Sequence, residues 1–477
     1  MSEYIPTIGL EIHAELKTKT KMFCNSANDA EEKRPNVNIC PVCMAHPGTL
    51  PVINKQAVLH VLRVGTALSG TLADFSEFDR KNYFYPDIPK GFQISQYKYP
   101  LVSGGKLNGV DITRVHLEED TAKSFHFNGR SDTFLDFNRA GMPLMELVTE
   151  PVIKDSKQAA DFAKELQLLL RYLGASEANM DKGQMRVEAN ISVSKDPNKF
   201  GTKVEVKNLN SFKSVARAID YELKRQAEAL DKGEVILQET RGFDENTGKT
   251  FAQRLKETSQ DYRYFPEPDL PKLKLSEVPE FQNLKATMPE LPWEKRKRLS
   301  EKFGLREEAV DLFVIDLVMS DFFEAVVKEH LNDKEFVSLT SNYITSDLAS
   351  LVKAVSDEVE LGYEKISIKP HDFEALMVMT QKGDVSSRGA KDILAVMFKE
   401  GGEPDIIAEV KGLIQKSNED ELKVMASEII KENEKVAAEF KAGKEASLQF
   451  LVGQAMKKSK GSANPKLVAE VFRELLK

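Results

Sequence analysis

Gly9-Leu10-Glu11-Ile12-His13-Ala14-Glu15-Leu16 alternates without a break. In an extended chain Leu10, Ile12, Ala14 and Leu16 fall on one side, and Glu11, His13 and Glu15 on the other. That is the pattern of a half-buried strand. Three further stretches repeat it. Met185–Val193 sets Met185, Val187, Ala189, Ile191 and Val193 against Arg186, Glu188 and Asn190. Lys203–Lys207 sets Val204 and Val206 against Lys203, Glu205 and Lys207. Val115–Asp120 puts Val115, Leu117 and Glu119 on one side, and His116, Glu118 and Asp120 on the other.

Residues i and i+2 of a strand lie roughly 6.6 Å apart, so Glu11 and His13 can reach a common ligand. If the four strands join one antiparallel sheet, its polar face gathers Glu11, His13, Glu118, Glu188 and Glu205, with Arg186, Lys203 and Lys207 among them. A face that simply meets water is the plainer alternative. Against it stands the composition of the face, which is mostly carboxylate with little Ser or Thr. Crowded carboxylates raise one another's pKa unless a cation compensates. Magnesium is the natural cation, because it takes oxygen ligands and shares them with substrate phosphates. The chain has no G-x-x-x-x-G-K-[ST] loop and no G-x-G-x-x-G loop, so a nucleotide would be bound on the sheet itself.

Around this region the sequence divides. The first ~290 residues carry period-2 segments and Gly/Pro/Asn punctuation, and the remainder reads as helices. Between them stand Pro266, Pro268, Pro271, Pro279, Pro289 and Pro292, which predict a linker. Gly401-Gly402-Glu403-Pro404 marks a second break. The expected organisation is therefore residues 1–292, 293–405 and 406–477. The fold class is α+β, an N-terminal antiparallel-sheet domain followed by an all-α domain and a small helical tail.

The 477 residues have a net charge of −8, which excludes a chain that wraps nucleic acid over its whole surface. A local excess lies at the end, where Lys441–Lys477 holds eight Lys/Arg and three Glu. No run approaches the ~18 apolar residues of a membrane span. Residues Met1–Leu10 lack the pattern of a secretion signal, and three cysteines do not make a disulfide framework, so a cytoplasmic protein is expected.

Several segments together resemble one family. They are Gly9-Leu-Glu-Ile-His13, Phe78-Asp-Arg-Lys-Asn-Tyr-Phe-Tyr-Pro-Asp87, His116-Leu-Glu-Glu-Asp120, Leu135-Asp-Phe-Asn-Arg-Ala-Gly-Met-Pro-Leu-Met-Glu-Leu147, Arg186-Val-Glu-Ala-Asn190 and Val204-Glu-Val-Lys-Asn-Leu-Asn-Ser211. They look like the B subunit of the bacterial tRNA-dependent amidotransferase, and the likeness runs the length of the chain. It implies a cradle domain related to glutamine synthetase and guanidino kinases. That domain uses ATP and magnesium to phosphorylate the side-chain carboxylate of Glu-tRNA(Gln) or Asp-tRNA(Asn). Ammonia then displaces phosphate, arriving from an amidase A subunit that a small C subunit clamps in a heterotrimer.

By the same resemblance Glu11, His13, Glu118 or Glu119, and Glu205 are catalytic metal and phosphate ligands, with Glu11, His13, Glu119 and Glu205 taken for magnesium. Glu146, Glu188, Arg139, Lys207 and Asn208 are cofactor-site residues of unassigned role. Lys81 resembles a residue on the ammonia route. Lys457, Lys458 and Lys460 are candidates for tRNA phosphate contacts. At the zinc site that many members have, this chain keeps Cys24, Cys40 and Cys43 but has Ser26 in place of the fourth cysteine. Either His46 supplies a fourth ligand or no zinc is held. A free-standing carboxylate–amine ligase and a non-catalytic tRNA-binding scaffold are the rival readings. Neither accounts for both the acidic sheet and the helical extension.

Overall fold

The computed structural model describes residues 4–126, 132–255, 262–356, 368–415, 419–459 and 463–477. Contacts divide the chain into two compact units, Met1–Pro292 and Trp293–Lys477.

The first unit is built on a ten-stranded sheet. In chain order its strands are β1 (Ile5–Glu15), β2 (Thr71–Leu72), β3 (Val102–Ser103), β4 (Lys106–Leu107), β5 (Val110–Glu119), β6 (Pro143–Thr149), β7 (Met185–Ser194), β8 (Val204–Leu209), β9 (Glu239–Asp244) and β10 (Lys249–Leu255). Across the sheet they run β10-β9-β8-β7-β1-β6-β5-β3-β2, with β4 beside β5. The four alternating segments are thus neighbours, but with β6 inserted between β1 and β5. The sheet is antiparallel except for β8 and β9, which pair in parallel.

One face is apolar and closed. Leu10, Ile12, Ala14, Val187, Ala189, Ile191, Val115 and Leu117 are all fully buried. Helices α1 (Lys55–Ala67), α2 (Ser156–Tyr172) and α3 (Phe212–Asp231) pack against this face. Their starts are fixed locally. Asn54, Asp155 and Ser211 each accept hydrogen bonds from the first backbone N–H groups of the helix they precede. Glu222 of α3 is fully buried but satisfied, taking a two-pronged hydrogen bond from Arg225 at 2.9 and 2.8 Å and lying 3.2 Å from Arg241. The other face is the polar one. A small sheet of Asp79–Asn82, Phe92–Ser95 and Phe265–Pro266 lies alongside the end of β5.

The proline-rich stretch is not a free linker. Three short 3-10 turns, Leu275–Glu277, Pro279–Phe281 and Leu284–Thr287, bury Leu275, Phe281 and Leu284 on the first unit. The prolines break long helices, but the apolar residues between them still find a core.

The second unit is helical: α4 (Pro292–Phe303), α5 (Glu307–Ile315), α6 (Leu317–Val327), α7 (Lys334–Asn342), α8 (Ala349–Ser356), α9 (Pro370–Lys382), α10 (Ser387–Glu400), α11 (Pro404–Val410), α12 (Glu419–Glu432), α13 (Glu434–Lys441), α14 (Glu445–Lys458) and α15 (Pro465–Leu475). Helix α11 packs on α9 and α10, so a division at residue 405 runs through a packed group. The last four helices close around their own core of Leu422, Ala426, Ile429, Leu448, Leu451, Val468 and Phe472. Among the described residues no helix is long and apolar enough to cross a membrane.

Helix α1 holds the edge that carries β5. A Cβ on Gly65 would come 2.4 Å from Val102 and 2.8 Å from Leu72. Val102 is fully buried and pairs with Val115 of β5, so it has nowhere to retreat. Gly65→Ala is expected to destabilise the first unit by about 1–3 kcal/mol, read from chemical denaturation.

Candidate functional site

Register decides which polar side chains meet. Across the β1–β7 pair Glu11 stands opposite Glu188 and His13 opposite Arg186. On the other side of β1, His13 stands opposite Glu146 of β6, and Glu146 opposite His116 of β5. Glu205 of β8 lies opposite Asn190, one strand beyond Glu188. Partners in an antiparallel pair share a face. The result is a band of acids across five strands with His13 near its middle.

The distances are short. His13 Nε2 lies 3.3 Å from Glu146, 3.5 Å from Glu118 and 3.8 Å from Glu11. His116 Nε2 is 3.6 Å from Glu146. Lys207 Nζ bonds Glu188 at 2.6 Å and stands 3.9 Å from Glu205, which also accepts from the Thr240 hydroxyl at 2.9 Å. Three groups bring their donor atoms within 4.8 Å of one another: Glu11, His13 and Glu146; His116, Glu118 and Glu146; Glu11, Glu188 and Glu205.

Burial and crowding shift these groups as expected. Burial, with repulsion from Glu146 and Glu188, pushes the Glu11 carboxyl up to about 7 against the pull of His13 and Lys207. Burial opposes ionisation of Glu146 too, but His116, His13 and Lys81 outweigh it and hold this carboxyl well below the usual range. Burial and Arg186 disfavour the His13 cation, yet Glu146 and Glu118 carry its pKa up. His116, also buried, is pushed down. Partial burial works against the Lys81 charge, but Glu118, Tyr264 and Glu146 keep it firmly protonated.

Of the residues expected here, Glu11, His13, Glu118, Glu146, Glu188, Glu205 and Lys207 come together, with Lys81 facing them. Glu119 does not. It points to the opposite side of β5, where Lys90 Nζ donates to it at 2.6 Å and the Ile94 amide at 2.9 Å. Between Glu118 and Glu119, the alternation of β5 assigns Glu118 to the acid face; Glu119 is a correction to the magnesium set. Arg139 braces the end of the band, bonding Asp120 at 2.6 Å and reaching Glu15 at 3.1 Å. Asn208 turns away: it is exposed, with φ 57°, beside a register shift between β7 and β8. One extra residue at such a shift re-aims its neighbours.

Three residues of the site have no role in the sequence-based expectation: His116, Arg114 and Glu15. Strand alternation carries the signal for His116 and Glu15. Arg114 reaches Glu146 at 3.4 Å and lies one residue ahead of the alternating stretch that begins at Val115.

The thiols form a separate centre. Cys24, Cys40 and Cys43 lie within 4.8 Å of one another. His46 lines the cavity beside them, of about 190 Å³, but is outside that group, so the expected fourth ligand is not in place. Lys21, fully buried, sets its ammonium 3.8 Å from Cys43 Sγ, and the Ser26 hydroxyl is also at 3.8 Å. Hydrogen bonding from Cys24, stronger than the opposing burial, together with Lys21 pulls the Cys43 thiol down to about 4.

In the tail, Lys458 is paired with Glu428 at 2.9 Å and Glu432 at 3.1 Å. Its charge is therefore already compensated. Lys457 precedes it in the last turn of α14, and Lys460 lies outside the described residues.

Residues 6–279 match the family described as the GatB/GatE catalytic domain, and residues 321–476 that described as the GatB domain. A protein of Persephonella marina is 41% identical over 100% of both chains. One of Gloeothece citriformis is 40% identical over 100% of this chain and 98% of its own, and one of Thermoanaerobacter pseudethanolicus is 40% identical over 99% of each. All three are named as the B subunit of aspartyl/glutamyl-tRNA(Asn/Gln) amidotransferase. The chain belongs to this family of amidotransferase B subunits.

The raised Glu11 carboxyl has a consequence for stability. Its folded pKa of about 7 exceeds the ordinary 4.5, so the folded state holds the proton more tightly than the unfolded one. Stability is therefore highest below about 4.5 for this group and declines as pH rises towards 7. Without divalent cations, Glu11→Gln is expected to remove a loss of up to about 3 kcal/mol between pH 5 and 8, at about 1.36 kcal/mol per unit. Paired thermal melts of the two proteins across that range measure it.

Proposed function

We propose that this chain carries the amidation site of a tRNA-dependent amidotransferase, converting Glu-tRNA(Gln), Asp-tRNA(Asn) or both into the amidated forms in the cytoplasm. The observation that carries the reading is the band of Glu11, His13, Glu118, Glu146, Glu188 and Glu205 on one sheet face. A face of this kind, buried and short of compensating cations, suits a nucleotide phosphate with its metal. The wider kinship is with the cradle of glutamine synthetase and guanidino kinases.

The reaction needs two displacements. The side-chain carboxylate of the esterified amino acid attacks the γ-phosphorus of ATP, ADP leaves, and an acyl phosphate forms. Ammonia then attacks the acyl carbon, and phosphate leaves with the bonding pair while the nitrogen loses a proton. A free carboxylate is a poor acyl donor, and phosphorylation gives it a leaving group. Glu11, Glu188 and Glu205 would hold one magnesium, and Glu146 would hold another together with His116 and Glu118 or with His13. Magnesium, when bound, spreads the charge of the transferring phosphoryl group. Lys207 orients Glu188 by its 2.6 Å bond, and Arg139 fixes Asp120 at the end of the band. Lys81, cationic and half-buried near Glu118 and Glu146, offers a fixed positive charge towards the reacting groups and is the candidate for the ammonia route.

The partners in this reading are an amidase A subunit that supplies ammonia and a small C subunit. The α12–α15 tail meets tRNA phosphates, with Lys457 the candidate there. Zinc does not suit the thiol centre as it stands. Three thiols have a serine for the fourth donor, and the Lys21 ammonium already supplies positive charge to Cys43. Ser26→Cys is expected to raise zinc affinity at least about tenfold, measured by competition with a chromogenic chelator, since it completes a four-thiolate set.

The decisive test is amidation of Glu-tRNA(Gln) by the chain purified with its amidase and clamp partners, with ammonium chloride as nitrogen source. Ammonium bypasses the glutaminase, so the product reports on this chain. Gln-tRNA is expected only with ATP and magnesium. Glu205→Ala is expected to lower the rate on the order of 100-fold with tRNA binding retained. Unchanged amidation in that variant would return the chain to the role of a tRNA-binding scaffold.

A further inference from the structure

Next to the acid band is a second cavity, of about 650 Å³, walled by aromatic rings. That volume is in the range of roughly 300–1,000 Å³ typical of small-ligand sites. Its lining comes from two strands of the small sheet and the turns beyond them: Tyr83, Phe84 and Tyr85 from one side, and Tyr262, Arg263 and Phe265 from the other. The rings are unusually bare. Phe84 is 85% exposed, Tyr85 50% and Phe265 45%. Leaving a cluster of large apolar rings in water costs hydrophobic free energy, and such clusters mark binding sites.

The cavity is also held in shape. Asn82 Nδ2 donates to the Tyr262 and Arg263 carbonyls at 3.1 and 2.9 Å, clamping the two sides together. The Tyr83 hydroxyl bonds Gln93 at 3.0 Å. Tyr83 meets Tyr85 and Tyr262 edge-on, at 5.8 and 5.9 Å between ring centres. Behind them Lys81 Nζ sits 5.8 Å from the Tyr83 ring and 5.3 Å from the Tyr262 ring. The same lysine is held protonated by Glu118 and Glu146. One half-buried cation therefore separates the aromatic cavity from the acid band.

We infer that this cavity is a stacking platform for the terminal adenine of the aminoacylated tRNA. The inference rests on the function proposed above. A nucleoside is planar, stacks on aromatic faces without needing base-specific hydrogen bonds, and arrives single-stranded at the tRNA 3′ end. The amino acid esterified to its ribose then reaches past Lys81 to the acid band. Phe84 and Phe265 supply the ring faces, Arg263 supplies charge and a planar guanidinium, and the tyrosines frame the slot. The platform contributes affinity for the tRNA end, and the acids carry the chemistry.

The probe is Glu-tRNA(Gln) with 2-aminopurine in place of the terminal adenine, added to the chain in complex with its amidase and clamp partners. Stacking quenches this base. Quenching is expected on binding to the wild-type complex. Phe84→Ala is expected to relieve it and raise KM for the tRNA about tenfold or more, with KM for ATP and kcat at saturating tRNA within about twofold, and Phe84→Trp to restore both. Amidation without quenching in the wild type would overturn the platform while leaving the amidation reading intact. Absence of both would overturn that reading as well. If Phe84→Ala instead releases the amidase partner and leaves the quenching unchanged, the cavity is a protein-docking face and the inference is wrong.

Discussion

Mutual repulsion of buried carboxylates is the constraint on which the rest of this structure depends. Six acids, Glu11, Glu15, Glu118, Glu146, Glu188 and Glu205, occupy one face of one sheet. No helix surface could gather them from such distant parts of the chain. The apolar face of the same strands, sealed by α1, α2 and α3, supplies the burial that holds them in place. Compensation is partial and local. Lys207 serves Glu188, Arg139 serves Glu15 and Asp120, and Lys81 faces Glu118 and Glu146. Burial still wins at Glu11 and at Glu15, whose carboxyls both rise to about 7.

Strand alternation makes much of this legible in the sequence. Period-2 patterning separates the two faces of β1, β5, β7 and β8, and from that Glu11, His13, Glu188 and Glu205 follow. It also distinguishes Glu118 from its neighbour Glu119, a distinction that a family resemblance alone leaves open. What alternation cannot reveal is β6. Leu144, Met145, Leu147 and Val148 are apolar on both faces, so the strand carries no period, and Glu146 looks like an isolated acid. Its place between β1 and β5 is a matter of long-range pairing, which no local pattern encodes. The parallel pairing of β8 and β9 is hidden for the same reason.

Elsewhere local chemistry and tertiary context diverge. The prolines from 266 to 292 forbid a long helix, and none forms there. Leu275, Phe281 and Leu284 nevertheless anchor the stretch to the first unit, because apolar side chains are buried wherever a core is within reach. His46 shows the converse. Its spacing from Cys43 suits a ligand, but spacing says nothing about where a loop aims a ring. In the tail, Lys458 is one more positive charge in the sequence and is neutralised by two glutamates on α12 in the fold.

The position of β1 in the middle of the sheet also governs how the protein comes into being. Ile5 pairs with Ser194, and His13 with Glu146 and Arg186, so this strand has no neighbour until residues 143–194 exist. At roughly 5–20 residues per second, a ribosome leaves β1 waiting on the order of ten to forty seconds with both edges open. During that interval its hydrogen-bonding groups are available to any other extended chain nearby. The centre of the acid face is thus made early and secured late, and the nascent chain depends on whatever shields that strand in the meantime.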